Sequence, residues 1–249
     1  MSSQLDIELA RASLDQSRLE LILFATEQCN FRCSYCYEDF KAGRMKPWVV
    51  SAVKKLISSR RDSVKSLSLS WFGGEPLAAF DVVSSISRHA LDVLGAEKVE
   101  GNITTNAFLL SSEKARELIG YGVRSFHVAL DGFGEVHDAT RHLAGGGGTF
   151  ERIWRNLLAL RNLELDFDLR LRVHYSKETY KNLDFLLDAL RRDFSLDERV
   201  KVYFTSINKL GGPGDESIWR FSEEEKMAIE DELYAGLGEG GGSGRSRKF

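Results

Sequence analysis

Leu19-Glu-Leu-Ile-Leu-Phe-Ala-Thr26 runs without a break into Glu27-Gln-Cys-Asn-Phe-Arg-Cys-Ser-Tyr-Cys-Tyr37. The first half is almost continuously apolar, the pattern of a strand covered on both faces. The second half holds Cys29, Cys33 and Cys36, the only cysteines of the chain. Their C-x3-C-x2-C spacing lets three thiolates converge on one centre at the C-terminal end of that strand. Soft sulfur donors suit an iron–sulfur cluster or zinc. A four-iron cube held this way keeps one iron without a protein ligand. A structural zinc site wants four ligands, yet there is no second C-x2-C pair. None of the five histidines lies near the loop in sequence.

Downstream, the strand-then-helix alternation repeats. Pro47 can open a helix that Trp48–Ile57 carries on. Strands are predicted over Ser66–Phe72, Val99–Thr105, Ser125–Leu130, Phe167–Tyr175 and Val200–Ile207. Helices are predicted over about 79–94, 112–121, 149–163, 179–193 and 222–235. Six β-α units in a row specify an α/β fold with a parallel sheet. Six is short of the usual eight-stranded barrel, so the expectation is a partial, open (β/α)6 barrel over residues 19–236. Residues 1–18 form an N-terminal extension with a candidate amphipathic helix around Leu5, Leu9 and Leu14. Residues 237–249 have the Gly/Ser composition of a flexible tail or linker.

Several strands alternate strictly. Leu67, Leu69 and Trp71 alternate with serines, and Leu169, Leu171, Val173 and Tyr175 with Asp168, Arg170, Arg172 and His174. With helices outside, the apolar set should face them and the polar set should line a wet, charged lumen. Within that lumen the charged groups are expected to pair with one another, as Asp168 with a neighbouring arginine, or to hold a polar ligand. His127, Asp131, Arg172, His174 and Tyr203 are the candidate catalytic groups. Gly145–Gly148 is not a P-loop, since no Gly-Lys-Ser/Thr follows, and reads as a mobile loop.

Composition excludes several classes. With 43% hydrophobic and 29% charged residues and a net charge of −3, nothing global favours nucleic acid or an anionic membrane. No run of eighteen apolar residues exists, and Met1–Asp6 does not begin a signal peptide. Cysteines gathered in one metal-like group point to a reducing interior, so the expected location is the cytoplasm. The sequence carries no information on oligomeric state.

The C-x3-C-x-aromatic-C loop, with Tyr35 at the aromatic position, resembles the signature of the radical SAM enzymes. Gly73-Gly-Glu-Pro76, one β-α unit later, resembles the segment that holds the methionine amino group in that family. Thr104-Thr-Asn106 closes its strand in the same way. Ala129-Leu-Asp131-Gly132, His137-Asp138 and Arg141 resemble a segment of the peptide-modifying members, among them sulfatase maturases and maturases of ribosomally made peptides. Ala129 stands where the family commonly has serine. The resemblance covers about residues 19–207.

It implies one [4Fe–4S] cluster held by Cys29, Cys33 and Cys36. It further implies S-adenosylmethionine (SAM) at Tyr35, Gly73, Gly74, Glu75, Pro76, Thr104, Asn106, Asp131 and Arg141. An external one-electron reductant would feed the cluster. Cleavage of SAM would give a 5′-deoxyadenosyl radical that takes hydrogen from a peptide or protein substrate, such as a ribosomal precursor peptide. The alternatives are a small single-cluster enzyme such as a glycyl-radical activase, and a zinc-holding interaction module. No cysteine follows Cys36, so the auxiliary-cluster domain common in peptide-modifying relatives is expected to be absent from this chain.

Overall fold

The computed structural model describes residues 15–238. The helix expected around Leu5, Leu9 and Leu14 and the tail from residue 239 lie outside the described residues. Six parallel strands form the sheet: β1 (Arg18–Thr26), β3 (Ser66–Gly73), β4 (Val99–Thr105), β5 (Val123–Leu130), β7 (Asp168–Tyr175) and β8 (Val200–Ser206), paired in that order. Between them run α1 (Pro47–Ser59), α2 (Phe80–Leu94), α3 (Ser112–Gly120), α4 (Glu135–Thr140), α5 (Phe150–Arg161) and α6 (Asp184–Phe194). α7 (Glu223–Leu237) follows β8. β1 and β8 are the two edges of the sheet, so this is the open, partial barrel that the alternation implied.

Local chemistry explains the boundaries. Pro47 sits in the first turn of α1, where its missing N–H costs nothing. α7 opens on a capping box: the Ser222 side chain accepts from the Glu225 N–H and the Glu225 carboxylate from the Ser222 N–H. In β3 and β7 the burial alternates residue by residue, with the apolar set buried. Trp71, wholly buried, donates its indole N–H to Ser87 Oγ of α2 at 3.2 Å and packs in the continuous core between sheet and helices. On the lumen face Asn102 donates to Ser70 Oγ at 2.8 Å.

One expectation fails. The apolar β1 is not covered on both faces: Ile22 is 63% exposed and Phe24 42% exposed. The register Ile22↔Ser70 and Phe24↔Phe72 puts both on the lumen face. On this edge strand no element among the described residues covers that face, so its apolar side chains stay exposed. Phe24 and Phe72 meet edge to face, with centroids 5.7 Å apart.

A second difference lies between β5 and α5, where the sequence predicted neither strand nor helix. This stretch contains α4 and a short strand, β6 (Arg141–Leu143), which pairs antiparallel with β2 (Phe31–Cys33) inside the cysteine loop. A three-residue strand leaves too little alternation to read in sequence. Gly145–Gly148 is a turn closed by Leu143 N–H to Gly147 O at 3.2 Å and Gly146 N–H to Leu143 O at 2.9 Å.

Trp71→Ala should lower unfolding free energy by about 3–5 kcal/mol, read from urea denaturation, because it empties a large sealed volume between sheet and α2.

Candidate active site

The cysteine loop is held on three sides by backbone. The Gly74 N–H donates to Thr26 O at 3.1 Å and the Glu75 N–H to Gln28 O at 3.0 Å, fastening the end of β3 to the start of the loop. A methyl on Gly74 would collide with the Glu27 and Gln28 carbonyls, which is why glycine stands there. On the second side, β2 pairs with β6 in the register Cys33↔Arg141, extended by Ser34 N–H to Thr140 O at 3.0 Å. On the third, the stretch after β8 lies against the loop: a Cβ on Gly212 would stand 2.5 Å from Cys36 O, and one on Gly214 would strike Ser34 O.

The three thiols line one cavity of about 340 Å³ at the C-terminal ends of the strands. Gly73, Gly74, Tyr35, Thr104, Asn106, Arg141, Arg172 and His174 share its walls. The Phe31 N–H donates to Cys29 Sγ at 3.3 Å. Burial pushes the Cys29 thiol up to about 11 and raises Cys33 as well. These sulfurs therefore hold their protons until a cation binds and displaces them. No group of three or more His, Cys, Asp or Glu side chains among the described residues is arranged around a single metal ion.

Behind the loop lies a buried polar network. The Tyr35 hydroxyl donates to Asp131 (2.9 and 2.8 Å to its two oxygens) and accepts from Arg141 Nη1 at 2.9 Å. Thr140 Oγ1 also donates to Asp131, at 2.6 Å. Burial pushes Asp131 up, but the His174 hydrogen bond and the charge of Arg141 outweigh it and hold the carboxyl far below its ordinary value. Tyr35 has one proton and gives it to this carboxylate. That assigns the His174 proton to Nδ1, 3.2 Å from Asp131 Oδ1 and 3.1 Å from the phenol oxygen. His174 Nε2 is not among the sealed, partnerless atoms, and the ring lines the cavity. Burial lowers the pKa of His174 against the pull of Asp131, so it presents a neutral nitrogen lone pair.

Glu75 has a different place from the one its motif suggests. It is wholly buried and off the cavity wall, accepting from Leu77 N–H (3.0 Å), Thr105 Oγ1 (2.7 Å) and Asn106 N–H (2.7 Å). Its carboxylate ties β3 to the end of β4. Pro76 is buried in the 3-10 turn that follows. His137 and Asp138 also point inward: the Asp131 N–H donates to His137 Nδ1 at 3.2 Å, and Asp138 accepts from the Thr149 and Phe150 N–H groups at the start of α5.

Among the catalytic candidates, Arg172 and His174 reach the cavity and Asp131 stands directly behind it. His127 and Tyr203 do not line it. His127 lies deeper in the lumen beside Ser125 Oγ (3.2 Å), its pKa lowered to about 4 by burial and by Arg170 and Arg172. Sequence reasoning missed the segment Ser206–Leu210, which forms one wall; irregular backbone after a strand leaves no periodic trace. Of the two readings open for Asp168, the structure shows pairing, with Arg170 at 2.6 Å and Lys201 at 3.0 Å.

An open parallel sheet carries three thiols at its C-terminal mouth, and they border one cavity. Residues 23–190 match the radical SAM superfamily, and the chain belongs to it. Members of this family use a [4Fe–4S] cluster and S-adenosylmethionine. The chain is 28% identical over 236 residues to the GTP 3′,8-cyclase of Cyanothece sp., covering 91% of this chain and 66% of the relative. It is 26% identical over 185 residues to the PqqA peptide cyclase of Bradyrhizobium diazoefficiens, covering 74% of this chain and 46% of the relative. The solved structure of native anSMEcpe with bound AdoMet and Cp18Cys peptide shares the fold, with a TM-score of 0.69 at 19% identity over 88% of this chain and 59% of that one. The chain thus spans about half to two thirds of the length of these relatives. No helix among the described residues is long and apolar enough to cross a membrane.

Two measurements test this geometry. Gly74→Ala should weaken iron uptake during anaerobic reconstitution and lower Tm, because the collision is with backbone that cannot rotate away. Burial also holds the folded pKa of His137 at about 4, against about 6.5 when unfolded. Between those values the unfolded chain binds the extra proton, so stability should fall with decreasing pH by up to about 1.4 kcal/mol per unit from this group. In His137→Gln the slope of unfolding free energy over that window should be shallower.

Proposed function

We propose that this chain is a radical SAM enzyme acting on a peptide or protein substrate, in a modification such as crosslinking, epimerisation or oxidation of a ribosomally made peptide. Cys29, Cys33 and Cys36 would hold the cluster, and the donor set fits it: three thiols, one shared cavity, and Asn106 Nδ2 within 3.7 Å of Cys29 Sγ. SAM fits beside it, with the bare backbone of Gly73 and Gly74, the side chains of Thr104 and Asn106, and Arg141, whose buried Nε has no partner among the described residues. When bound, cluster and SAM supply the radical chemistry that removes hydrogen from an unactivated C–H bond. Tyr35, fixed by Asp131 and Arg141, holds the loop and turns the Arg141 guanidinium toward the cavity. His174 offers Nε2 as an acceptor for a substrate proton.

The observation favouring a peptide over a nucleoside triphosphate is the charge of the cavity wall. Its charged residues are Arg141, Arg172 and Glu38. Once SAM engages Arg141, one cation is left, too few for a triphosphate. Exposed Ile22 and Phe24, the latter against Phe72 of the cavity wall, suit apolar side chains of a peptide.

Anaerobic reconstitution should give about four irons per chain, and dithionite with SAM should yield 5′-deoxyadenosine. Cys33→Ala should abolish both. Mass spectrometry of a short peptide encoded beside the gene should show a mass change on incubation, and GTP should come through unaltered; conversion of GTP would overturn the peptide assignment.

A further inference from the structure

Three basic groups meet the lumen on β7 and β8, and two of them share one counter-charge. Asp168 takes Arg170 at 2.6 Å and Lys201 at 3.0 Å. Arg172, two residues further up the same face of β7, is different. Its Nε is sealed from solvent, and no hydrogen bond or ion pair reaches the side chain among the described residues. Across the sheet it stands between Ala129, which has nothing to offer it, and Tyr203. Holding a partly buried guanidinium without a counter-charge costs stability, and the usual reason to keep one is an anionic visitor.

The two cavity arginines stand on different elements: Arg141 opposite Cys33 in the β2–β6 pair, Arg172 on β7 between β5 and β8. The charge of Arg141 is felt by Cys29, Cys33 and Glu75, on the cysteine side. That of Arg172 is felt by Tyr37, next to Cys36, and by His127 and His174 deeper in the lumen, His174 feeling both arginines. A SAM molecule whose amino-acid end lies at the cysteines therefore meets Arg141 and leaves Arg172 to whatever enters from the lumen.

We propose that Arg172 determines specificity by receiving a carboxylate of the substrate, so that this enzyme selects peptides with an Asp or Glu side chain, or a free C-terminus, next to the reacting residue. The inference rests on the peptide reading above. The fork of the guanidinium matches a carboxylate with two parallel hydrogen bonds, a geometry an amide cannot satisfy.

The test is equilibrium binding of a random hexapeptide library to the reconstituted enzyme with saturating SAM and no reductant, so that nothing turns over. One arm has free C-termini and the other amidated ones. Enrichment of Asp and Glu in both arms points to a side-chain carboxylate, and selection for the free-acid arm alone to the C-terminus; either supports the proposal. Replacing the selected Asp or Glu of one retained peptide by Asn or Gln should weaken binding to the unaltered enzyme about tenfold. Arg172→Lys should keep the acidic preference and Arg172→Gln should lose it. A library with no acidic preference, or one whose preference survives in R172Q, overturns the inference. So does a preference seen only when SAM is left out, since Arg172 would then belong to SAM. If no peptide is retained at all, the peptide reading itself is refuted, and the partner named here falls with it.

Discussion

The arrangement depends on backbone packed against backbone around the cysteine loop. Three thiols on a free loop would sample many separations, and ordering such a loop costs roughly 1–2 kcal/mol per residue in lost chain entropy. Here β6 pairs with β2, the glycines at the end of β3 fasten the loop's entry, and Gly212 and Gly214 cover its exit. Each contact is made where a side chain is missing or a ladder hydrogen bond forms. The sulfurs are thus presented by a rigid frame, although the segment carrying them contains only one three-residue strand.

Electrostatics follow from the same frame. The register Cys33↔Arg141 brings a guanidinium to the thiols, and Tyr35 and Asp131 behind it share the hydrogen bonds that keep its charge tolerable in a buried place. Glu75 does comparable work one layer away: a sealed carboxylate with three donors joins two strand ends at the cavity floor. A buried ion usually adds little to stability, but one satisfied on all sides selects a single arrangement of its neighbours. Here the selected arrangement is the cavity wall.

Much of this was legible in the sequence because long periodic segments and closely spaced ligands survive translation into three dimensions. The alternation of Leu169, Leu171 and Val173 with Arg170, Arg172 and His174 announced both strand and lumen, and burial along β7 follows it. The motif order announced the cavity. What stayed hidden depends on partners distant in sequence. Ile22 and Phe24 read as doubly covered because an apolar run looks the same at an edge as at a centre. Glu75 read as a ligand for an ammonium, since nothing local shows that Thr105 and the Asn106 N–H will claim its oxygens. The β2–β6 ladder was invisible for the same reason: six residues from two distant loops carry no period.

The cover supplied by Gly212 and Gly214 also fixes an order of events. A ribosome delivers the cysteines early, while the residues that enclose them are still to be made, and the loop's last wall exists only after β8 has joined the sheet. Ligands that are translated first are therefore completed last. A centre held by all three thiols would thus meet its full enclosure only once β8 is in place.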